Sequence, residues 1–457
     1  MLKSLLALAA TAAVAATPAP SAAPPSEALA KLQAYMRLDT TNPPGHEAAA
    51  AHLLASWLQA EGITPTLYES APGRFNLVAR LKGSGKRAPL LLLNHMDVVP
   101  VETKRWQHPP FAAMIADGAL YGRGALDMKD LGIMQLLAFL DLKRSHAALT
   151  RDVVFCATAD EEAGGQLGAA WMLAHHPEDV RASEVLSEGG SGVVLPEGTR
   201  VMNVECAEKG VLWVKLVANG MPGHGSIEGK EGAVRRLVHA LARLDAAPRP
   251  FELGPEAHSL FKTFARTAKG ERGKLLKAAL VSGGLARVGA RLATLDPYLG
   301  AQVRDSLNPT MLEAGQKVNV LPGTATAQVD IRLLPGHDPA RMLAWVRQVV
   351  ADRQVVVSST LATPGSRSAT TGPLWDALVA AVRADAPGVA ITSSMSPGAS
   401  DSRFFRAAGA KAFGFSPFFA PLSQYEGFHG DNEHILLNQL DQGTRTMTRA
   451  VALAATR

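Results

Sequence analysis

Histidine and carboxylate side chains cluster in five short segments of the chain, each of which follows a predicted strand. The segments are residues 94–97, 121–129, 159–165, 187–190 and 427–433. In open α/β sheets, ligands bind outside the carboxyl ends of the strands, so side chains at these positions can converge on one cleft. We therefore expect the chemistry of this protein at that edge of the sheet.

Five of these side chains form a nitrogen and oxygen ligand set without thiolate. They are His95, Asp127, Glu162, Glu188 and His429. Such a set suits Zn²⁺, with Co²⁺ or Mn²⁺ possible. Three carboxylates in one cleft would repel one another unless cations neutralised them, so two divalent ions fit better than one, and one carboxylate would then bridge. Each signal alone is weak, because a His-x-Asp pair is common and an acidic pair is typical of a helix N-terminus.

Apolar periodicity predicts the elements that position these segments. Helices are predicted at residues 27–38, 46–61, 131–144 and 167–175, and strands at 76–81, 89–94, 152–157, 182–186 and 200–206. After residue 366 the pattern resumes with helix 374–384, strands near Ala390 and Ala412, and helix 437–455. This alternation indicates an α/β fold with a mainly parallel sheet.

A second module interrupts this pattern. Strands 212–218, 310–319, 324–333 and 354–361 alternate with helices 232–244 and 339–351 in the order of a split βαβ module. Residues 250–297 form a helical insertion within it that carries no recognisable chemistry. We therefore predict a leader and spacer at 1–26, a catalytic domain at 27–210 and 365–457, and an inserted α+β (βαββαβ) domain at 211–364.

The N-terminus predicts export. Lys3 precedes an apolar run at residues 5–16 that is too short to span a bilayer, and Ala13-Val14-Ala15 offers a small-x-small cleavage pattern. We expect a signal peptide and a periplasmic or secreted protein without a stable membrane anchor. An uncleaved tail or a weak membrane tether is the alternative.

The composition excludes several classes of protein. With 47% hydrophobic and 19% charged residues, the chain is neither disordered nor a coiled coil. Lys and Arg outnumber Asp and Glu by 46 to 41, but no run of five basic residues concentrates that charge, so nucleic-acid binding is not expected. Cys156 and Cys206 lie in apolar stretches and are predicted to be buried free thiols.

The order and strand-end placement of these motifs resemble the co-catalytic zinc metallopeptidases of the M20 family, which include glutamate carboxypeptidase, aminoacylase and the carboxypeptidase S group. The resemblance runs from about residue 27 to the C-terminus, and residues 105–124 are most similar to the carboxypeptidase S and aminoacylase branch. It implies two Zn²⁺ ions per subunit. The implied ligands are His95 and Glu188 for one ion, Glu162 and His429 for the other, and Asp127 as the bridge.

The resemblance also implies roles for the neighbours of these ligands. Asp97 would orient the imidazole of His95, and Glu161 would be the general base that takes a proton from metal-activated water. The peptide bond between Asp127 and Met128 is cis in relatives. A Glu at the position of Glu188 tends to accompany carboxypeptidases and acylases, and an Asp accompanies aminopeptidases.

Four further residues are implied on the substrate side. His224 matches a histidine that reaches the active site of the partner subunit, Asn319 matches an Asn that contacts substrate, and Arg332 matches a carboxylate-binding position. The implied assembly is a homodimer through the inserted domain, which would serve as a dimerisation or lid domain. From the residues alone, His224 and Arg332 could equally face solvent. Gly398 opens a loop whose Gly-Ala-Ser-Asp sequence departs from the family's Gly-Gly-Thr-Asp, which leaves its specificity open.

The expected function is therefore a dizinc hydrolase that cleaves the amide bond of N-acyl amino acids or releases the C-terminal residue of peptides. A dipeptidase or aminopeptidase with the same metals is the alternative within enzymes, and it would need an unpaired carboxylate to bind the substrate amine. A binding protein on a catalytically dead scaffold is the alternative outside them. The presence of all five ligands and Glu161 speaks against it.

Overall fold

The computed structural model describes residues 26–195, 198–229, 231–425 and 427–457. The predicted signal peptide and nearly all of the spacer lie outside these residues. In the described part of the chain, no helix has both the length and the apolar character needed to cross a membrane. Cys156 and Cys206 are buried free thiols, as predicted.

The secondary structure follows the predicted alternation. The strands are β1 (Thr66–Ala71), β2 (Arg74–Leu81), β3 (Arg87–His95), β4 (Met114–Ala116), β5 (Ala119–Tyr121), β6 (Arg151–Thr158), β7 (Glu184–Ser187), β8 (Ser191–Val194), β9 (Arg200–Glu208), β10 (Gly210–Asn219), β11 (Gly223–His224), β12 (Ser306–Ala314), β13 (Val320–Leu321), β14 (Thr324–Leu333), β15 (Val355–Thr363), β16 (Ser366–Arg367), β17 (Ala390–Ser396), β18 (Lys411–Gly414), β19 (Phe419–Pro421) and β20 (His434–Leu436). The helices are α1 (Glu27–Met36), α2 (Glu47–Ala60), α3 (Lys129–Arg144), α4 (Ala169–His175), α5 (Pro177–Val180), α6 (Ala233–Ala246), α7 (Pro255–Thr267), α8 (Gly270–Ala279), α9 (Gly284–Leu295), α10 (Pro297–Ala301), α11 (Pro339–Val350), α12 (Pro373–Asp385), α13 (Ser402–Ala407), α14 (Leu422–Tyr425) and α15 (Leu437–Thr456).

The large sheet has the strand order β1-β2-β6-β3-β7-β18-β9-β8-β19, and β16 and β17 also pair with β9. Its centre, β6-β3-β7-β18, runs parallel. The pairs β1 with β2, β2 with β6, and β8 with β9 are antiparallel. Residues 90–93 of β3 are fully buried because helices and loops cover both faces of the sheet. The predicted α/β fold with a parallel central sheet is confirmed. The edge strand β1 was not among the predicted strands.

Helix α3 packs against the large sheet and is buried on nearly all sides. Thirteen of its sixteen residues are buried, and it packs between the sheet and helix α15. Because a helix that is buried on nearly all sides cannot shift without opening the core, α3 fixes the residues that immediately precede it. Asp127 is one of these residues.

The inserted module is a four-stranded antiparallel sheet with the order β12-β14-β10-β15. Alternate residues of β14 are buried against α6 and α11, which lie on one face. The predicted strand 310–319 is wrong at its C-terminal end, because β12 stops at Ala314 and Gly315 adopts a φ of +68°. The residues that follow lead into β13, which pairs with β11.

The helical insertion packs on the large sheet. Helices α7 to α10 and strands β8, β9 and β17 share one apolar cluster, which is separate from the core of the four-stranded sheet. A hydrogen bond between Ser259 and Thr392 of 3.1 Å joins α7 to β17. The domain boundaries at 210 and 364 stay a prediction, but the insertion is a layer on the large sheet.

His337 is expected to make the stability of the protein depend on pH. Its imidazole lies 2.8 Å from Asp305 and 3.2 Å from Glu252. Burial lowers the pKa of His337, but the hydrogen bonds and charges of both carboxylates outweigh it and leave this pKa raised. A raised folded-state pKa stabilises the fold fully below the unfolded value and loses that contribution as pH rises through the folded value.

We expect the free energy of unfolding to fall by about 1 kcal/mol as pH rises from the acid to the alkaline side of this titration. Urea denaturation across that range measures it. His337→Gln should remove this part of the pH dependence, and His258→Gln, at an exposed position on α7, should leave it. An unchanged profile in His337→Gln would show that the imidazole does not link these carboxylates in solution.

Candidate metal centre and active site

Five loops at one edge of the large sheet build the site. His95 is the last residue of β3, the turn Glu161–Ala163 follows β6, and Glu188 follows β7. Because β6, β3 and β7 are parallel neighbours, their carboxyl ends meet at that edge. Asp127 precedes α3, and His429 lies in the loop between α14 and β20. The prediction that residues 427–433 follow a strand is therefore wrong, because a short helix precedes them. The predicted convergence of these side chains is therefore present.

Asp127 lies between two histidines. Its Oδ1 is 3.2 Å from Nε2 of His95, and its Oδ2 is 3.1 Å from Nε2 of His429. Glu188 Oε2 lies 3.6 Å from the same nitrogen of His95, and Glu162 Oε2 lies 3.3 Å from that of His429. The five side chains thus form two histidine–carboxylate pairs that share one central carboxylate, the pairing that the family resemblance implies.

Glu161 stands beside one of these pairs. Its carboxylate, the imidazole of His95 and the carboxylate of Glu188 place ligand atoms within 4.8 Å of one another. This geometry allows Glu161 either to act on a molecule bound at the site or to bind a metal itself. The family resemblance assigns it the first role.

The electrostatics of the cluster favour cations. Burial raises the pKa of Glu161 well above its usual range, and it raises the pKa of Glu188 to about 7. Burial also raises the pKa of Glu162, and its Oε1 is buried without a hydrogen-bond partner. Hydrogen bonds to Asp127 and Glu162 raise the pKa of His429 to about 10. Protons therefore balance the clustered charge in the metal-free protein, and divalent ions can replace them.

The donor set fits two divalent metal ions. The central carboxylate offers one oxygen to each side, two imidazole nitrogens face it, and Oε1 of Glu162 is buried without a hydrogen-bond partner. Mixed imidazole and carboxylate ligands without thiolate suit Zn²⁺, Co²⁺ and Mn²⁺. A dinuclear centre is thus consistent with every side chain of the cluster.

Asp97 organises both the imidazole and the turn that carries Glu161. Its carboxylate accepts hydrogen bonds from the backbone N–H of Glu161 at 3.2 Å, from that of Glu162 at 3.1 Å and from Nδ2 of Asn42 at 2.8 Å. His95 Nδ1 is 2.9 Å from the carbonyl oxygen of Asp97 and 3.5 Å from its carboxylate. Donation from Nδ1 leaves Nε2 free to bind a metal.

Glu433 is a site residue that sequence reasoning missed. Its buried carboxylate accepts hydrogen bonds from the backbone N–H of Leu126 at 2.6 Å, Asp127 at 3.1 Å and Gly124 at 3.2 Å, and pairs with Arg123 at 2.7 Å. It therefore holds the loop that presents the central carboxylate. Glu433 lies in a quoted segment, but nothing in the sequence indicates that its partners are backbone amides about 300 residues away.

Glu433→Gln should destabilise the protein by about 3 kcal/mol, because it leaves the buried guanidinium of Arg123 without its counter-ion. Urea denaturation and metal analysis on one sample measure stability and site integrity together, and we expect a lower metal content as well. Asp431→Asn is the matched control, because it breaks a more exposed pair with Arg105 and should cost less than about 1 kcal/mol. Equal stability of the two variants would contradict the proposed anchoring.

The predicted substrate-side residues of the inserted module lie apart from the cluster. His224 is exposed and its Nδ1 lies 2.7 Å from Ser226 Oγ, and the exposed Asn319 accepts a backbone hydrogen bond from Gly225 at 2.8 Å. The guanidinium of Arg332 is held by both carboxylate oxygens of Asp330, at 2.8 and 3.0 Å. Within the described ranges, none of these three predicted residues hydrogen-bonds or ion-pairs with the five ligands, and their roles stay predictions.

The loop that begins at Gly398 is fixed beside the cluster. Thr158, at the end of β6, donates a 3.0 Å hydrogen bond to Asp401, and burial raises the pKa of Asp401 to about 7. The hydroxyl of Ser400 donates to the buried carboxylate of Glu208. Gly398 itself donates its N–H to Ser396 Oγ at 3.1 Å. The loop thus spans from the end of β6 to the end of β9.

Comparison with known proteins places this architecture in a family. A family model described as Peptidase family M20/M25/M40 matches residues 91–453. The chain therefore belongs to the M20/M25/M40 peptidase family. The predicted resemblance to the M20 family and the predicted hydrolase class are confirmed by this match.

Two relatives illustrate the sequence similarity. The N-fatty-acyl-amino acid synthase/hydrolase PM20D1 of Xenopus tropicalis is 31% identical over 376 residues, which are 79% of this chain and 72% of that protein. Aminoacylase-1 of Sus scrofa is 28% identical over 433 residues, which are 92% of this chain and 94% of that protein.

Two solved structures share the fold. The M20 family metallo-carboxypeptidase Sso-CP2 of Sulfolobus solfataricus superposes with a TM-score of 0.71 at 19% identity, over 94% of this chain and 99% of that one. Human carnosine dipeptidase 1 superposes with a TM-score of 0.65 at 16% identity, over 94% and 96% of the two chains. At these identities the superpositions establish the fold alone.

Proposed function

We propose that this protein is a dinuclear metal-dependent hydrolase that cleaves the amide bond of N-acyl amino acids, with Zn²⁺ as the preferred ion. The observation that carries the proposal is the central carboxylate of Asp127, which faces one histidine with each of its oxygens. Glu161 lies beside this arrangement as a carboxylate that is not needed for the bridge. Release of C-terminal residues from peptides is the same reaction on a larger substrate.

Two bound divalent ions would polarise the scissile carbonyl and lower the pKa of a water molecule. The remaining steps belong to the chain. Glu161 accepts the proton of the attacking water and passes it to the leaving nitrogen. Asp97 holds the turn of Glu161 through two backbone N–H groups, so the base stays within reach of the scissile bond.

The choice of an N-acyl amino acid as substrate rests on the relatives and on Glu188. In this family a Glu at the position of Glu188 tends to accompany carboxypeptidases and acylases. Both sequence relatives described above are named for reactions of acyl amino acids. The substrate carboxylate would be received by Arg332, whose guanidinium is already oriented by Asp330, and by the loop at Gly398. Dipeptidase activity is the second candidate, since a dipeptidase shares the fold.

We also propose a homodimer through the inserted domain, with His224 acting at the site of the partner subunit. Its support is the exposure of His224 beside Met221 and Ile227, which are 71% and 70% exposed, and of Val318 on the facing turn. Exposed apolar side chains that lie together on one surface mark sites of protein–protein contact. The sequence of the N-terminus supports export to the periplasm or the exterior.

Hydrolysis of a substrate panel tests the proposed specificity. The panel contains N-acyl amino acids, their carboxyl methyl esters and free dipeptides, assayed on protein of known metal content. We expect turnover of N-acyl amino acids and a large loss with the esters, because the ester removes the charge that Arg332 would bind. Turnover confined to substrates with a free amine would assign the protein to the dipeptidases instead.

A further inference from the structure

The net charge of the chain is concentrated in the helical insertion. The chain has 46 Lys and Arg residues against 41 Asp and Glu residues, a net charge of +5. Eight of the basic residues and three of the acidic ones lie within residues 255–301, which leaves 38 of each sign elsewhere. Helices α7 to α10, which form most of the insertion, therefore carry the whole excess of positive charge.

Each acidic residue of the insertion is already paired. The pairs are Glu256 with Arg367 at 3.3 Å, Glu271 with Arg291 at 2.7 Å and Asp296 with Arg272 at 2.9 Å. The six basic residues that remain are exposed, and none of them forms an ion pair with a carboxylate of the described residues. They are Lys262, Arg266, Lys269, Lys274, Lys277 and Arg287. We call these six residues the basic face.

The helical packing turns these side chains outward. The apolar side chains of α7 to α9, such as Phe261 and Leu276, are buried in the cluster that joins the insertion to the large sheet. On α7 Lys262 and Arg266 are four residues apart, and on α8 Lys274 and Lys277 are three apart, so each pair shares one helix face. Lys269 lies between the two helices. The basic face is thus the solvent side of a helical layer.

Apolar side chains are exposed on the same insertion. Val281, in the turn between α8 and α9, is 55% exposed and continues the stripe of Lys274 and Lys277 at helical spacing. Leu295 is 41% exposed and Tyr298 is 44% exposed. Exposed lysines favour an anionic lipid surface, and exposed apolar side chains beside them can enter its interfacial region.

We propose that the basic face docks the protein reversibly onto an anionic lipid surface. Charge complementarity selects a negative partner, since the cations have no described counter-ions. Four of the six are lysines, which act as point charges, and the exposed apolar residues are aliphatic apart from Tyr298. Protein surfaces that bind nucleic acids more often use the forked guanidinium group of arginine and several aromatic rings that stack on bases. The inference does not rest on the proposed substrate.

Co-sedimentation with lipid vesicles tests the proposal. The protein is used with whatever N-terminal processing it receives in cells. Binding to phosphatidylglycerol–phosphatidylcholine vesicles should greatly exceed binding to pure phosphatidylcholine and should weaken with added salt. Replacing Lys269, Lys274 and Lys277 with Gln should lower the partition coefficient about 100-fold, at about five-fold for each lysine. The matched control replaces the exposed residues Lys86, Lys143 and Arg353 with Gln and should bind as the wild type does.

The variant Val281→Ser separates a bilayer from other polyanions. It should weaken binding to anionic vesicles and leave binding to double-stranded DNA unchanged, because only the bilayer accepts an apolar side chain. No sedimentation of the wild type with anionic vesicles at low salt would overturn the proposal. Equal binding by the triple lysine variant, or tighter binding to DNA than to vesicles, would overturn it as well.

Discussion

Glu161→Gln should lower kcat by about 1000-fold or more, and the variant should still bind two metal ions per chain. Glutamine has the shape of the glutamate side chain but accepts no proton at neutral pH, so the attacking water keeps its proton. The five predicted ligands are untouched by the change. Steady-state hydrolysis of an N-acyl amino acid and metal analysis of the same sample measure both quantities.

Glu178→Gln is the matched control for this substitution, because Glu178 is an exposed glutamate on α5 outside the cluster. Its activity should equal that of the wild type. Near-full activity of Glu161→Gln would remove Glu161 from the role of base. Loss of one metal ion would instead make Glu161 a ligand, which the 4.8 Å grouping with His95 and Glu188 also allows.

Asp127→Asn should abolish activity by removing the bridge between the two halves of the site. An amide has one oxygen to offer, so it cannot face His95 and His429 with an oxygen on each side. The metal content should fall from two ions to at most one per chain, and hydrolysis should fall by about 1000-fold or more. Metal analysis after dialysis against metal-free buffer measures the first effect.

Asp130→Asn controls for the loss of a carboxylate at this point of the fold. Asp130 is fully buried three residues along the chain, neither of its carboxylate oxygens has a hydrogen-bond partner, and burial raises its pKa well above the usual range. Because burial favours the neutral form of Asp130, converting this group to an amide changes the charge of the site less than the same change at Asp127. If Asp127→Asn kept two metal ions, Asp127 would not be the bridge.

Two of the five predicted metal ligands, His95 and Glu188, were predictable from one feature of the fold. A buried strand such as residues 90–93 can be recognised in the sequence by its uninterrupted apolar side chains. Polar residues that directly follow such a strand lie at the edge of the sheet where ligands bind. His95 and Glu188 are examples. The resemblance then supplied the pairing, which the distances around Asp127 match.

Other parts of the molecule depend on contacts that no sequence pattern displays. Glu433 supports the loop before Asp127 through backbone N–H groups, which have no residue type to recognise. Strand β12 stops at Ala314 because the backbone turns at Gly315, although its apolar pattern continues. The basic face forms no run of basic residues in the sequence, because its cations lie on three helices and are separated along the chain.

Titration of the metal-free protein with Zn²⁺ during hydrolysis of an N-acyl amino acid tests the central claim most directly. The account predicts that activity rises to saturation at two equivalents per chain and disappears on chelation. Full activity in the metal-free protein, or saturation with a single equivalent and no second ion bound, would contradict a dinuclear centre bridged by Asp127.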